Sequence, residues 1–202
     1  MRGADSSRRP LPPPPLLHNK CYIPLRTQIG GSFVTQPARL HQIGQEIGVS
    51  SWLLIDQDRV DAFAKVTSDA DPMHVDPAWC AEHSPFRGTV SFGFLTMSLL
   101  THLSHEVLGW SGSDSVDRDG YGLNYGFDRV RLIEPVPVGS RIRARFTLLD
   151  RTEPRPGEAR FKYGVTVEIE GKTRPALVAE WLALWVNGSA GHARIASKHE
   201  NA

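Results

Sequence analysis

The chain has 202 residues, of which 40% are hydrophobic and 22% are charged, with a formal net charge of +1 at pH 7. This length is enough for one domain with a substantial core, and the near-neutral charge gives no reason to expect a nucleic-acid or anionic-membrane partner. No stretch has the length and apolarity of a transmembrane helix, and two cysteines cannot make a disulfide framework, so we expect a cytoplasmic protein.

The first 36 residues differ in composition from the rest. Proline dominates residues 10–15, and arginine is the commonest charged residue of this leader. Such a low-complexity segment cannot build a core, so we predict that residues 1–36 are disordered. The leader lacks the apolar stretch of a secretory signal; a transit peptide is an alternative, although the proline run would break its amphipathic helix. We place the folded domain at residues 37–187 and predict a flexible tail at 188–202.

The first predicted helix runs from Ile55 to Val66. Asp56 suits the N-cap position, where a carboxylate can accept a hydrogen bond from a free backbone N–H group. Val60, Phe63 and Val66 recur at helical spacing, so they are expected to form the apolar face of this helix.

An acidic run follows at residues 69–76, Asp-Ala-Asp-Pro-Met-His-Val-Asp. Pro72 argues against an ordinary helix through the middle of the run and favours an extended backbone at Asp71. A kinked segment can bring together side chains that a regular element would separate. Asp69 and His74 are the candidate acid–base pair, because burial can tune a carboxylate and imidazole titrates near neutral pH. From the spacing alone, a capping or loop-bracing role for this pair is equally compatible.

Two more helices are predicted downstream. Asp76 and Pro77 mark a helix start, with an N-cap before a proline at the first helical position. Residues 86–100 are apolar on nearly every side, which predicts a buried helix. Gly93 near its start would let a ligand approach backbone amides, where partial positive charge accumulates. Thr101, on the same face, either hydrogen-bonds a catalytic carboxylate or is satisfied by the helix backbone.

Antiparallel strands are predicted for the second half of the chain. Residues 141–150 and 161–169 alternate between apolar and polar, whereas residues 176–186 are apolar on both faces apart from one glutamate, as in a central strand. In residues 123–132 the alternation changes phase, which predicts a bulge near Asp128. One long buried helix with at least four sequential strands indicates an α+β fold with an antiparallel sheet.

Other candidate sites have weaker support. His83, His102 and His105 do not match any zinc-ligand spacing, so no metal site is predicted. The nucleophile-elbow pattern Gly-x-Ser-x-Gly of hydrolases is absent from the sequence. The arginines of the 141–145 strand form a local basic face, for which we prefer a solvated strand surface over contact with coenzyme A phosphates.

Several motifs of residues 40–187 are similar to one protein family. They are Phe63-Ala64, Ser68-Asp69, Asp71-Pro72, His74, Asp76, Phe86, Gly88, Gly93-Phe94-Leu95, residues 123–131 and residues 135–140. Together they resemble the MaoC-like dehydratases, which include the (R)-specific enoyl-CoA hydratases, and the NodN-like branch resembles this chain best. The spacing Asp-x-x-Pro-x-His-x-Asp is weak alone and becomes specific with the downstream segments.

The resemblance implies a hot-dog fold, in which a curved antiparallel sheet wraps a long central helix, and a homodimer. The family's catalytic aspartate and histidine fall on Asp69 and His74. Asp71 stands where the family often has asparagine or glutamine, and Phe92 replaces a histidine before the central helix. Asp71, Phe92, Gly93 and Thr101 are the candidate substrate-binding residues.

The implied activity is reversible hydration of a 2-enoyl thioester to a (3R)-hydroxyacyl thioester. No separate cofactor is expected, because coenzyme A or acyl carrier protein would arrive as part of the substrate. Two alternatives stay open: a hot-dog thioesterase, and a non-catalytic acyl-CoA-binding module, which the departure at Phe92 keeps under consideration.

Overall fold

A computed structural model describes residues 41–109 and 120–188 of the chain. The leader predicted for residues 1–36 and the tail beyond residue 188 lie outside the described residues. The described elements are β1 (Glu46–Val49), β2 (Leu53–Leu54), α1 (Gln57–Thr67), α2 (Pro72–Val75), α3 (Pro77–His83), α4 (Gly93–Ser98), α5 (Leu100–Leu108), β3 (Tyr121–Leu132), β4 (Arg141–Thr152), β5 (Glu158–Ile169) and β6 (Leu177–Val186).

The strands of the described residues form one antiparallel sheet in the order β1-β4-β5-β6-β3, with β2 also paired to β4. The predicted α+β architecture is therefore confirmed. β6 lies between β5 and β3, so both of its edges are paired, as predicted for a central strand. β1 and β2 were not predicted, because segments of four and two residues are too short to show an alternating pattern.

The core lies between one face of this sheet and the helices. In β4 the alternate residues Ile142, Ala144, Phe146 and Leu148 are 0–1% exposed, as their alternation predicts. The matching set on β5 is also buried: Phe161, Tyr163, Val165, Val167 and Ile169. The buried leucines of α4 and α5 belong to the same hydrophobic cluster, and α5 packs on β4 and β1.

β3 is an edge strand in which the pairing register with β6 shifts twice. One shift lies between Phe127 and Arg129, where the phase change predicts a bulge near Asp128. The other lies between Asn124 and Gly126, and Gly126 has a φ of 145° that favours glycine. The predicted bulge is confirmed, and the second one was missed.

The helices depart from prediction in two respects. The predicted buried helix consists of α4 and α5, which meet at Leu99, and it is not buried all round because Phe94 is 70% exposed. On α1, Val60 is fully buried but Val66 is 78% exposed, since six residues of helix rotate it away from the core. None of the described helices is long and apolar enough to cross a membrane.

Candidate active site

Asp69 directly follows the end of α1. The helix begins as predicted, with the Asp56 carboxylate accepting the Arg59 N–H at 2.9 Å, and it ends at Ser68, whose φ of 59° is left-handed. The Asp69 N–H still donates to the Ala64 carbonyl at 3.1 Å, while the exposed Asp69 side chain leaves the helix. Its carboxylate accepts one weak hydrogen bond, from the Asp71 N–H at 3.4 Å.

His74 is carried by α2, a helix of a single turn. Pro72 begins this helix instead of preventing it, because at the first helical position its missing N–H group costs nothing. Asp71 has the extended backbone expected before proline, with ψ of 125°, and its carboxylate caps α2 by accepting the Met73 N–H at 2.9 Å. Asp71, predicted to bind substrate, therefore has its carboxylate engaged in a helix cap.

The imidazole of His74 is held by two neighbours. Nδ1 lies 2.7 Å from the Val90 carbonyl oxygen. A carbonyl only accepts hydrogen bonds, so Nδ1 bears the hydrogen and Nε2 of the neutral ring carries a free lone pair. The Phe92 ring packs on the imidazole with centroids 3.8 Å apart, and Phe92 itself is 4% exposed. The half-buried imidazole is thus held in a defined orientation.

Asp69 and His74 are on packed elements but are not bonded to each other. His74 lies in α2, which packs against α1, the helix that Asp69 follows. Among residues 41–109 and 120–188, neither side chain is a hydrogen-bond partner of the other. The Asp69 carboxylate and Nε2 of a neutral His74 ring are both acceptors, so neither can donate a hydrogen bond to the other.

The other predicted substrate-binding residues lie along α4 and α5. Phe92 is the N-cap of α4 and Gly93 its first residue. A Cβ atom at Gly93 would collide with the Leu132 side chain, so glycine here permits close packing of α4 on the end of β3. Thr101 is exposed on α5, and in the described part of the chain its hydroxyl makes no hydrogen bond to a carboxylate.

Two polar residues near His74 were missed by the sequence analysis. The Gln57 side chain donates to the His74 carbonyl at 2.8 Å and accepts from the Thr89 hydroxyl at 2.7 Å. Gln57 lies at the start of α1, and Thr89 precedes the carbonyl that holds the imidazole. No sequence motif links residues 32 positions apart, so only the tertiary structure brings them together.

Comparison with known proteins shows the family of the chain. A family model described as a MaoC like domain matches residues 39–169. The chain belongs to the MaoC-like family. Nodulation protein N of Rhizobium meliloti (strain 1021) is 45% identical over 142 residues, which are 70% of this MaoC-like chain and 85% of that protein. The 3-hydroxyacyl-thioester dehydratase Z of Mycobacterium tuberculosis (strain ATCC 25618 / H37Rv) is 38% identical over 143 residues, 71% of this chain and 90% of that protein.

Solved structures share the fold of this MaoC-like chain. An (R)-hydratase from A. caviae involved in PHA biosynthesis matches with a TM-score of 0.57 and 22% identity, over 72% of this chain and 97% of that one. A monoamine oxidase regulatory protein of Archaeoglobus matches with a TM-score of 0.60 and 21% identity, over 74% of this chain and 92% of that one. The predicted family and the hot-dog fold are both confirmed.

The basic face of the MaoC-like sheet is neutralised by glutamates. Each arginine of the strand is ion-paired: Arg141 with Glu170, Arg143 with Glu168, and Arg145 with both Glu46 and Glu168. Burial alone would raise the pKa of Glu168, but hydrogen bonds from Arg143 and Arg145 outweigh it and lower that pKa below its usual value. This pairing supports the interpretation as a solvated strand face over a phosphate-binding one.

His83, His102 and His105 are the histidines that the sequence offered as possible metal ligands. Within the described ranges, no group of three or more His, Cys, Asp or Glu side chains of the MaoC-like chain could hold a metal ion. His102 and His105 lie on the exposed side of α5 with ring centroids 6.5 Å apart.

Proposed function

We propose that this chain reversibly adds water across the 2,3 double bond of a 2-enoyl thioester and forms a (3R)-hydroxyacyl thioester. The observation that carries the proposal is the 2.7 Å contact between His74 Nδ1 and the Val90 carbonyl oxygen, which leaves Nε2 of the neutral ring as an acceptor. His74 is five residues after Asp69. The 38% identity to a 3-hydroxyacyl-thioester dehydratase supports the substrate class.

In the proposed reaction one water molecule donates to both the Asp69 carboxylate and His74 Nε2, which are both acceptors. One of these two groups removes a proton from the water as the water oxygen bonds to C3. The proton taken up by the pair is then delivered to C2, so that the H and OH of one water add across the double bond. Negative charge grows on the thioester oxygen. Backbone amides at the start of α4, around Gly93, are the proposed stabilisers of that charge.

The substrate is proposed to arrive as a thioester of coenzyme A or acyl carrier protein, with no further cofactor. Phe92 favours a second candidate, a non-catalytic acyl-thioester-binding module, because it places a hydrocarbon ring where the family usually has histidine. The two candidates differ in one measurement, since a binding module would retain acyl-CoA without consuming the enoyl thioester.

We also propose that the protein works as a homodimer through β3. This twelve-residue edge strand exposes large apolar side chains: Leu123 by 43%, Tyr125 by 57% and Leu132 by 55%. A long apolar edge invites aggregation unless it is covered, and a second copy pairing along the same strand would cover it. Light scattering at micromolar concentration should show a dimer, and Tyr125→Asp should shift it towards monomer; a wild-type monomer would contradict the proposal.

The reaction is tested by following crotonyl-CoA and longer enoyl thioesters through the loss of enoyl absorbance. Asp69→Asn and His74→Ala should each lower kcat by about 10² or more with the fold intact. The kcat of the double variant should be about that of the less active single variant, because two groups that hold one water act as a unit.

Asp76→Ala is the matched control within the same acidic run. Its carboxylate caps α3 by accepting the Trp79 N–H at 2.9 Å, so the variant should lose about 1 kcal/mol of stability and keep its turnover. Near-wild-type activity of Asp69→Asn on every substrate that the parent hydrates would refute the proposal. Release of free coenzyme A thiol would instead identify a thioesterase.

A further inference from the structure

The Gln57 side-chain amide makes three hydrogen bonds at the start of α1. Its Nε2 donates to the His74 carbonyl and to the Asp61 carboxylate, both at 2.8 Å. Its Oε1 accepts from the Thr89 hydroxyl at 2.7 Å. Both amide hydrogens are therefore used, and each bond depends on the orientation of the amide, because neither the carbonyl nor the carboxylate could donate in return.

The segment that Thr89 belongs to also holds the imidazole. The Val90 N–H donates to the Met73 carbonyl at 3.2 Å, and the Val90 carbonyl accepts from His74 Nδ1. This segment is itself fixed to the connection between β3 and β4, where the Ser91 N–H donates to the Val136 carbonyl at 2.8 Å. The position of Nε2 thus depends on how far the main chain at residue 74 lies from residues 89 and 90.

We propose that Gln57 and Thr89 are positioning residues for His74. The inference rests on the proposed hydratase function. Gln57 spans the gap between the His74 carbonyl and the Thr89 hydroxyl, so it fixes the main chain of α2 against the segment that orients the ring. Thr89 is 8% exposed, so loss of the Gln57 amide would leave its hydroxyl buried without this acceptor, which is costly in a protein interior.

Two near-isosteric variants remove this link. Gln57→Met keeps the side-chain length without any donor, and Thr89→Val keeps the shape without the hydroxyl. With enoyl thioester as substrate, each should lower kcat by about 10-fold or more while KM stays within about 2-fold, because small misplacement of a catalytic group is expensive. The double variant should lose no more kcat than the less active single variant. Thr89→Ser, which keeps the hydroxyl that Thr89→Val removes, should retain turnover.

Two control variants separate positioning from general stability. Asp61→Asn keeps an oxygen acceptor for the Gln57 amide and removes only the charge of this exposed side chain. Asp56→Ala removes the N-cap of the same helix and should cost about 1 kcal/mol of stability. Both controls should keep kcat, although Asp56→Ala should lower the melting temperature.

A second readout does not need turnover. In ¹⁵N-labelled protein, the His74 ring nitrogens report the tautomer directly, and the Nδ1-bound proton reports the hydrogen bond to Val90. Gln57→Met and Thr89→Val should broaden or shift these signals, and the two controls should not. If the parent does not hydrate any enoyl thioester, the proposed function fails while this measurement still tests the positioning role. The positioning role would be overturned by unchanged His74 signals in Gln57→Met and Thr89→Val. It would also be overturned if Asp56→Ala lost as much kcat as these two variants.

Discussion

Replacing Phe92 by leucine should both destabilise the fold and loosen His74. The ring lies 3.8 Å from the His74 imidazole and 5.2 Å from the Phe63 ring, centroid to centroid. Aromatic contacts of this kind contribute about 0.5–1.5 kcal/mol each, so losing both should cost about 2 kcal/mol. For a chain of this size that corresponds to a melting temperature lower by about 4–8 °C, measurable by circular dichroism.

Phe92→His restores the histidine that the family usually has, and its effect should depend on pH. The position is 4% exposed, and burial disfavours charged imidazole, so the folded-state pKa of the new side chain should fall below the unfolded value of about 6.5. The unfolded chain then binds a proton that the folded chain excludes. The variant should therefore lose stability relative to the parent as pH falls below about 6.5, by at most about 1.4 kcal/mol per pH unit.

The control for this experiment is Phe92→Leu, which adds no titrating group. Its melting temperature should differ from that of the parent by a constant amount between pH 8 and pH 5. If Phe92→His also shows a constant difference over this range, the side chain at position 92 is not buried against His74. Hydration that appears only in Phe92→His, with an inert parent, would identify the native chain as a binding module.

Three further predictions concern other parts of the chain. Asp71→Ala should lose about 1 kcal/mol of stability through the lost cap of α2 and should also lower turnover. Asp71→Asn should change stability and turnover only slightly. Thermal unfolding measures the first quantity and the enoyl assay the second. Glu168→Gln should be less stable than the parent at pH 7. The difference should shrink as pH falls below the ordinary pKa of 4.5 and vanish once pH is below the lowered folded-state pKa, since a lowered pKa stabilises only while the carboxylate is ionised. Deleting residues 1–36 should leave melting temperature and turnover nearly unchanged, and a large fall in melting temperature would contradict the predicted leader.

The strands were predictable because their signal is local. In β4 and β5 the side-chain period of two appears in the sequence as alternating apolar and polar residues. In β3 this alternation changes phase near Asp128, and the pairing register with β6 confirms the predicted bulge there. The candidate pair was also visible, since Asp69 and His74 fall within one kinked run. The cap at Asp56 likewise depends on a residue only three positions away.

The rest of the site depends on contacts between distant segments. Gln57 and Thr89 are ordinary polar residues in sequence, and only packing of α1 against the segment before α4 brings them to His74. Periodicity also cannot say which side of an apolar helix is covered, so the exposure of Phe94 was missed. The orientation of the imidazole is set by the Val90 backbone carbonyl, which carries no side-chain signal.

The contact between Gly93 and Leu132 joins the start of α4 to the exposed edge of the sheet. The thioester proposed to bind at Gly93 and the second copy proposed to pair along β3 would both act on this contact. Thermodynamic linkage then requires that each changes the affinity of the other by the same factor. Where that factor differs from one, the apparent affinity for substrate would vary with protein concentration.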